Sequence, residues 1–169
     1  GAAGRVQSFA VVPLLALSGA IGSIVGQNWG AGKPDRSREA MRWAGGFAII
    51  YGLITAAILV TASDWFAGLF SDDPAVVAEF SLYLTIAAWG YAGYGLLIVS
   101  NGALNAVDKA GWALVQSFAR VFLVMLPVAW LMRDTLGSSA IYAAELAANI
   151  VGGIFALIVI SRVLHRAKA

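Results

Sequence analysis

The sequence GSIVGQNWGAGK (residues 22–33) has a glycine at every fourth position of its first nine residues. These glycines are Gly22, Gly26 and Gly30, and the side-chain amides of Gln27 and Asn28 lie between the last two. A glycine inside a water-exposed helix costs about 1 kcal/mol relative to alanine. In a lipid bilayer, small residues four positions apart let two helix backbones approach closely and pack. The stretch therefore predicts a helix that packs against another helix within a membrane.

The composition agrees with a membrane location. Of the 169 residues, 60% are hydrophobic and only 12% are charged, and the mean hydropathy is +0.82. Soluble domains average about 45–50% apolar and about 25% charged residues. The basic residues are scattered between apolar stretches and form no basic stripe, which argues against nucleic-acid binding. Cysteine is absent from the sequence, so disulfides and thiol catalysis are excluded.

Five stretches are long and apolar enough to cross a bilayer, which requires about 20 mostly apolar residues. They are residues 9–29, 43–62, 80–100, 112–132 and 140–160. The connections are short, so consecutive helices should be antiparallel neighbours in a single domain over residues 1–169. We therefore predict an all-α, polytopic membrane helix bundle with five transmembrane helices. Because the sequence begins with Gly1 and not with methionine, we expect it to be a piece of a longer protein.

Two of the predicted helix starts are marked by proline. Lys33-Pro34 separates the first helix from the second, and Asp73-Pro74 precedes the third. Proline suits the first turn of a helix, where its missing N–H removes no hydrogen bond, and aspartate is a favoured N-cap residue. We expect Asp73 to cap the third transmembrane helix and Pro74 to occupy its first position.

The basic residues orient the bundle. Eight of them lie on one predicted side, namely Lys33, Arg36, Arg38, Arg42, Lys109, Arg162, Arg166 and Lys168, and two lie on the other, namely Arg5 and Arg133. Lysine and arginine are in excess in the cytoplasmic loops of membrane proteins. The loop at Lys33 and the C-terminus should therefore be cytoplasmic, in a multi-pass protein of the cell (inner) membrane.

Catalytic groups are missing from the predicted spans. Nucleophilic catalysis needs a nucleophile with a base in reach, and metal-assisted hydrolysis needs clustered His, Cys, Asp or Glu. The spans contain neither arrangement, and His165, the only histidine, lies in the basic tail. The sequence thus predicts no enzyme, no resident cofactor and no metal site.

A few polar groups do lie within the spans, where each is costly unless it has a partner or reaches water. Glu145 and Asn149 are one turn apart on the last helix. Glu145 either contacts a cation, proton or substrate in a cavity, or it reaches the outer interface or bonds a neighbouring helix. Arg120 lies about two turns into the fourth span, so we expect its guanidinium to anchor at the cytoplasmic headgroups. Pro127 should kink the same helix.

The third span offers two further pairs. Asn101 and Asn105 are four residues apart near its predicted cytoplasmic end. Such amides either bond neighbouring helices or line a pathway, and we favour bonding. Tyr91 and Tyr94 lie in the stretch GYAGYG (residues 90–95) near mid-membrane. Aromatic faces attract cations in dry surroundings, so this pair would suit a cavity for flat, hydrophobic cations.

The opening stretch also carries a family resemblance. It resembles the GQNxGA…R…A signature of the multidrug and toxic compound extrusion (MATE) family, and the matching residues are Gly26, Gln27, Asn28, Gly30, Ala31, Arg36 and Ala40. FSDDPAV (residues 70–76), and Arg120 followed by LPVA (residues 126–129), resemble later segments of the same family. The resemblance covers nearly the whole chain. It implies that the five helices correspond to helices eight to twelve of a twelve-helix transporter.

What the resemblance implies is a secondary antiporter that exports organic cations or amphipathic drugs while Na+ or H+ flows inward. The chain would be one half of a two-bundle fold in the lipid bilayer, and its partner would be the missing N-terminal half. Gly22, Gly26 and Gly30 would face another helix of the bundle, and Gln27 and Asn28 would tie its cytoplasmic end. Two alternatives stay open, a lipid-linked oligosaccharide or polysaccharide flippase of the same superfamily and a non-transporting membrane scaffold.

Overall fold

The computed structural model describes residues 2–137 and 139–165, and the regular elements among these residues are all helical. The α-helices are α1 (Ala2–Gly30), α2 (Pro34–Thr61), α3 (Ser63–Phe70), α4 (Pro74–Ala87), α5 (Tyr91–Ala106), α6 (Ala110–Ala119), α7 (Leu126–Leu136) and α8 (Ser139–His165). A 3₁₀ turn joins α4 to α5, and a π-helical segment joins α6 to α7. Arg166 and Lys168 of the predicted cytoplasmic set lie outside the described residues.

Five helices in the described part of the chain are long and apolar enough to cross a membrane, which confirms the predicted all-α membrane bundle. They are Ser8–Gly30, Pro34–Thr61, Pro74–Ala106, Ala110–Leu136 and Ser139–His165. Each covers its predicted stretch to within one residue and mostly extends beyond it. The prediction counted only apolar residues, whereas a helix continues through polar turns as long as its backbone hydrogen bonds are made. The short helix α3, between the second and third spans, was not predicted.

Helix α5 lies at the centre of the bundle and packs against α1, α2 and α8. The main cluster of buried side chains joins Leu14 and Val25 of α1 to Leu104 of α5 and Ile160 of α8. A second cluster surrounds Leu84 of α4. The α6–α7 span lies at the periphery of the bundle, since only 6% of the residues in its most apolar stretch are buried. Any polar group that this span contributes to the interior must therefore come from the narrow face that it turns towards α5 and α8.

Glycines allow α1 and α5 to approach each other closely. A Cβ atom at Gly22 would lie 3.1 Å from the carbonyl oxygen of Gly102, and one at Gly26 would lie 3.2 Å from the Cβ of Ala106. These two glycines face a neighbouring helix, as the sequence predicts. Gly30 differs, because none of the described atoms outside its own helix lies within 4 Å of its Cβ position. Since α5 ends at Ala106, which is already opposite Gly26, α5 does not reach the glycine one turn further on.

The amides beside these glycines do not tie α1 to its neighbours in the way the resemblance implied. The Nδ2 of Asn28 donates to the carbonyl of Ile24 at 2.8 Å, within α1 itself, and Gln27 is exposed. A short polar side chain on a helix readily bonds the carbonyl one turn back. The link between α1 and α2 is instead made by the fully buried Ser37, whose Oγ donates to the carbonyl of Val25 at 2.9 Å.

The start of α4 has the predicted cap. Asp73 adopts an extended conformation, and its Oδ1 accepts a hydrogen bond from the N–H of Ala75 at 3.0 Å. Pro74 occupies the first turn, where no backbone donor is lost. The hydroxyl of Ser71 in turn accepts from the N–H of Asp73 at 3.1 Å. The loop before the third span is thus fixed by two side-chain hydrogen bonds.

Replacing Asp73 with alanine should lower the free energy of unfolding by about 1 kcal/mol, because the N–H of Ala75 loses its acceptor. Thermal unfolding in detergent measures the change. The neighbouring Asp72 is also exposed, so Asp72→Ala is the matched control, with an expected change within about 0.5 kcal/mol. Equal losses in the two variants would show that the helix start does not depend on the cap.

Two spans depart from α geometry in the middle of the bundle. The third changes to a 3₁₀ turn at Ala88–Gly90, and the fourth changes to a π-helical segment at Arg120–Met125. At the end of that segment the N–H of Leu126 bonds the carbonyl of Val121, five residues earlier. Pro127 follows directly and has no N–H to give. The helix thus has a wider turn just before Pro127, and the kink that the sequence predicts there stays a prediction.

Candidate functional site

Arg120 lies at the start of the π-helical segment and points into the bundle. Its Nε and Nη2 donate to Oδ1 of Asn149 on α8 at 2.9 and 2.6 Å, and its Cζ lies 4.7 Å from the ring centroid of Tyr94 on α5. The predicted anchoring of Arg120 at the headgroups is therefore not observed. An amide oxygen and an aromatic face inside the bundle satisfy the guanidinium, so it need not extend to the interface.

Small residues on α5 and α8 make room for this arrangement. A Cβ atom at Gly152 would lie 3.4 Å from the Cδ of Arg120, and one at Gly153 would meet the backbone of Gly93 on α5. Asn149 itself is fully buried, between the backbone of α5 and the guanidinium. Backbone contact between α5 and α8 thus fixes Asn149, and Asn149 fixes Arg120.

Glu145 lies one turn from Asn149 on α8 and is half-buried. The hydroxyl of Tyr83, on α4, donates to its Oε1 at 3.2 Å. The ring of Tyr83 packs edge-on against Tyr142, with 5.4 Å between ring centroids, and the hydroxyl of Tyr142 donates to Glu79 at 2.7 Å. Of the two interpretations of Glu145, bonding to a neighbouring helix is therefore observed, and a role in transport stays a prediction.

One buried donor of this region, the Nδ2 of Asn149, lacks a hydrogen-bond acceptor among the described residues. The hydroxyl of Tyr91, whose side chain is 3% exposed, interacts with the hydroxyl of Tyr83 and with the carboxylate of Glu145. We call the six residues Tyr83, Tyr91, Tyr94, Arg120, Glu145 and Asn149 the polar cluster. An unpaired buried donor costs about 1–3 kcal/mol, and among the described residues of the polar cluster the amide nitrogen of Asn149 is such a donor.

Asn101 belongs to a separate amide network. Its Oδ1 accepts from Nε2 of Gln116 at 2.5 Å, and its Nδ2 donates to the hydroxyl of Ser117 at 3.2 Å. The same Nε2 of Gln116 lies 3.5 Å from the hydroxyl of Ser100. These bonds join α5 to α6, as the bonding interpretation of these amides predicts. Asn105 is exposed and lies outside this network.

The structure thus brings four of the predicted pathway residues together, namely Tyr91, Tyr94, Glu145 and Asn149. Sequence reasoning missed Tyr83 as a member of the polar cluster and gave Arg120 a different role. Tyr83 lies eight positions before Tyr91, a spacing that places both on one helical face, so the signal was present. For Arg120 the depth along the helix was known, but the direction of the side chain depends on the π-helical segment.

Among the family-signature residues, Ala31 and Arg36 lie in or next to the connection between α1 and α2, and both are exposed. The buried basic residue is Arg38, at 7% exposed. Its Nη1 donates to the carbonyl of Leu164 at 2.6 Å, and its Nη2 forms an ion pair with Asp35. Arg38 therefore joins the start of α2 to the end of α8, a role that the count of cytoplasmic charges did not reveal.

The polar cluster contains one carboxylate, that of Glu145, and one guanidinium, that of Arg120. The described residues contain no group of three or more His, Cys, Asp or Glu that could hold a metal ion. Glu145 and Arg120 interact electrostatically, but they form no ion pair with each other among the described residues. The neutral side chain of Tyr83 holds the carboxylate, and the neutral side chains of Asn149 and Tyr94 hold the guanidinium.

Comparison with known proteins gives a consistent result. The MatE family model matches residues 1–131. The chain is 30% identical over its 169 residues to an FAD transporter of Shewanella oneidensis, and it covers 37% of that protein. It is also 30% identical over 142 residues, or 81% of the chain, to a probable multidrug resistance protein NorM of Pseudomonas putida, of which it covers 31%. The chain thus spans about a third of the length of these relatives.

Solved structures show the same fold. The crystal structure of the Vibrio cholerae MATE transporter VcmN in its bent form has a TM-score of 0.93 and is 25% identical. That match covers 98% of this chain and 38% of the VcmN chain. An inward-facing structure of a multidrug resistance MATE family transporter has a TM-score of 0.90 at 16% identity, which shows the fold alone.

Proposed function

The chain belongs to the MatE family of multidrug and toxic compound efflux transporters, and on that premise we propose that it contributes one helical bundle of a secondary antiporter. This antiporter exports organic cations or other amphipathic compounds in exchange for Na+ or H+. Members of the family are transporters and not enzymes. The polar cluster is therefore interpreted as a binding site and not as a catalytic one.

The observation that carries the proposal is the carboxylate of Glu145 inside the bundle. Ion-coupled exchange requires a group that binds the coupling ion in one state and releases it in another, since a ligand drives a change only through its different affinity for the two states. Glu145 is held by Tyr83, and the charge of Arg120 lies near enough to interact with it. A small movement of Arg120 towards or away from Glu145 would change the affinity of the carboxylate for a cation.

The full transporter in this proposal includes a second bundle, contributed by an N-terminal half. The two bundles enclose a central cavity, and alternating access comes from rocking one bundle against the other. Positive charges lie around Lys33 and at the C-terminal end of α8, and they support a cytoplasmic position for the loop at Lys33 and for the end of α8. In that orientation Glu145 lies towards the outer side and Asn101 towards the cytoplasm.

A second candidate substrate class is an anionic aromatic compound such as FAD. It is favoured by the 30% identity to an FAD transporter over the whole chain and by the guanidinium of Arg120 over the ring of Tyr94. A guanidinium beside an aromatic face suits a phosphate attached to a flat ring system. Under this alternative Arg120 binds the substrate, while Glu145 keeps its role in coupling.

The test is ion-driven efflux from proteoliposomes that contain the complete transporter. Replacing Glu145 with glutamine keeps an acceptor for the hydroxyl of Tyr83 but removes the negative charge. Efflux of ethidium under a Na+ or H+ gradient should therefore fall about ten-fold, a change typical of the coupling between two binding sites. Asp134→Asn is the matched control, since this exposed carboxylate lies outside the polar cluster. It should leave efflux unchanged.

Unchanged efflux in Glu145→Gln would assign Glu145 to structure and contradict the proposal. Replacing ethidium with FAD in the same vesicles separates the two substrate classes. Transport of FAD that is lost in Arg120→Lys would support the anionic substrate, because lysine keeps the charge but not the forked hydrogen bonds. Transport of ethidium with no transport of FAD would support the cationic one.

A further inference from the structure

A groove lies between α2 and α8 at the end of the bundle where both helices leave the apolar region. Its volume is about 260 Å³, and α5 contributes Leu96 to its floor. The α2 wall includes Arg38, Arg42 and Gly46, and the α8 wall includes Ser161 and His165. None of these side chains belongs to the polar cluster, so the groove is a separate feature.

The groove is polar at one end and apolar at the other. Arg38, Arg42, Ser161 and His165 line the end nearest the start of α2 and the last turn of α8. Ile49, Leu96 and Leu157 line the opposite end. At about 1.5 Å per residue, the wall from position 38 to position 49 is about 16 Å long, which is close to half of the roughly 30 Å hydrocarbon core. The groove therefore has the length and polarity of one lipid leaflet.

Two features keep the groove open and positive. Gly46 leaves open space in the wall of the groove. Among the described residues, no atom outside its own helix lies within 4 Å of its Cβ position. Arg38 is committed to Asp35 and to the carbonyl of Leu164, which leaves Arg42 as the exposed arginine in the wall. Among the described residues Arg42 forms no ion pair. Its guanidinium is available to an external anion.

We propose that this groove binds an anionic phospholipid of the adjacent leaflet. The acyl chain lies against Gly46, Ile49 and Leu157, and the phosphate bonds Arg42 with His165 and Ser161 beside it. The exposed Trp43 next to Arg42 suits the same depth, since tryptophan rings settle at the membrane interface. Pockets for drug-sized molecules are usually about 300–1,000 Å³ and more enclosed, so a single acyl chain fits this groove better. The proposal depends only on the membrane-spanning fold and not on the exported compound.

The experiment is native mass spectrometry of the complete transporter in detergent, titrated with phosphatidylglycerol or with phosphatidylcholine of the same acyl chains. One basic residue near a membrane surface contributes about 1 kcal/mol towards an anionic lipid, so the wild type should bind phosphatidylglycerol about five-fold more tightly. Arg42→Gln should abolish this preference. Gly46→Leu should weaken binding of both lipids, because its side chain would extend into the groove from a position where an added Cβ atom meets nothing within 4 Å.

Two control variants match these changes. Arg162→Gln removes an exposed arginine from the same end of α8 that does not line the groove, and Gly111→Leu adds a side chain at another open position. Both should bind the two lipids as the wild type does. Thermal unfolding of all four variants checks that they fold.

Four results would overturn the proposal. The first is equal affinity of the wild type for the two lipids. The second is an equal loss in Arg42→Gln and Arg162→Gln, which would indicate general surface charge. The third is displacement of phosphatidylglycerol by soluble glycerol phosphate at the same concentration, which would indicate a free-anion site without a role for the apolar end. A dimer in place of lipid adducts would likewise contradict it and indicate a second copy of the chain.

Discussion

Replacing Gly93 with alanine should destabilise the bundle by about 3 kcal/mol, at the upper end of the usual cost of overpacking. A Cβ atom at this position would overlap the carbonyl oxygen of Asn149 and would lie 3.2 Å from the Cα of Ile150. Both obstacles are backbone atoms of α8, so no side-chain rotation relieves the clash. From the other side, a Cβ at Gly153 would meet the backbone of Gly93. The measurement is thermal unfolding of the purified protein in detergent.

The control is Gly19→Ala, on α1, where none of the described atoms outside its own helix lies within 4 Å of the added methyl group. That change should alter the free energy of unfolding by no more than about 0.5 kcal/mol. If the two alanine variants unfold alike, then α5 and α8 are not in backbone contact. Size-exclusion chromatography of Gly93→Ala distinguishes a loosened monomer from an aggregated chain.

Removal of the Asn149 side chain should cost about 2–3 kcal/mol, because it leaves the guanidinium of Arg120 inside the bundle without its amide acceptor. The second substitution Arg120→Leu, made in the Asn149→Ala background, should restore most of this loss. The reason is that an unpaired polar group costs more than a pair replaced by apolar atoms. A double-mutant cycle on unfolding in detergent yields the coupling energy between the two residues.

The matched controls use groups of the same chemistry outside the polar cluster. Asn105 is exposed, and Arg133 is an exposed arginine whose Cζ lies 3.6 Å from the ring centroid of Trp130. Asn105→Ala and Arg133→Leu should each change the unfolding free energy by no more than about 0.5 kcal/mol. If the losses in Asn149→Ala and Arg120→Leu simply add, the two side chains are not coupled.

The number and positions of the spanning helices could be predicted because the physical signal is local. About 20 apolar residues in a row have few alternatives to a transmembrane helix. The helix cap at Asp73 and Pro74 could be predicted equally well from the sequence, since capping involves residues only two positions apart. The family resemblance added the larger architecture, which no property of composition or periodicity contains.

The helix contacts were harder to predict because they join residues that are distant in the sequence. The spacing of Gly22, Gly26 and Gly30 indicates a packing face, and two of these glycines do face α5. A close backbone approach also joins Gly93 on α5 to Gly153 on α8, sixty residues apart, and nothing in either local stretch indicates that pairing. The position of Arg120 was misjudged for a related reason. Its height in the membrane follows from the sequence, but its direction follows from local helix geometry.

The π-helical segment at Arg120–Met125 acts as a one-residue insertion that the helix has absorbed without a loop. Eleven residues make about three turns of an α-helix, so an uninterrupted helix would aim Arg120 and Leu131 in nearly the same direction. Leu131 is 73% exposed, whereas Arg120 bonds Asn149 on α8. The added residue shifts the half of the span that follows the segment out of phase with the half that precedes it by about 100°. One helix can thereby present a cation to the protein interior and an unbroken hydrocarbon face to its surroundings.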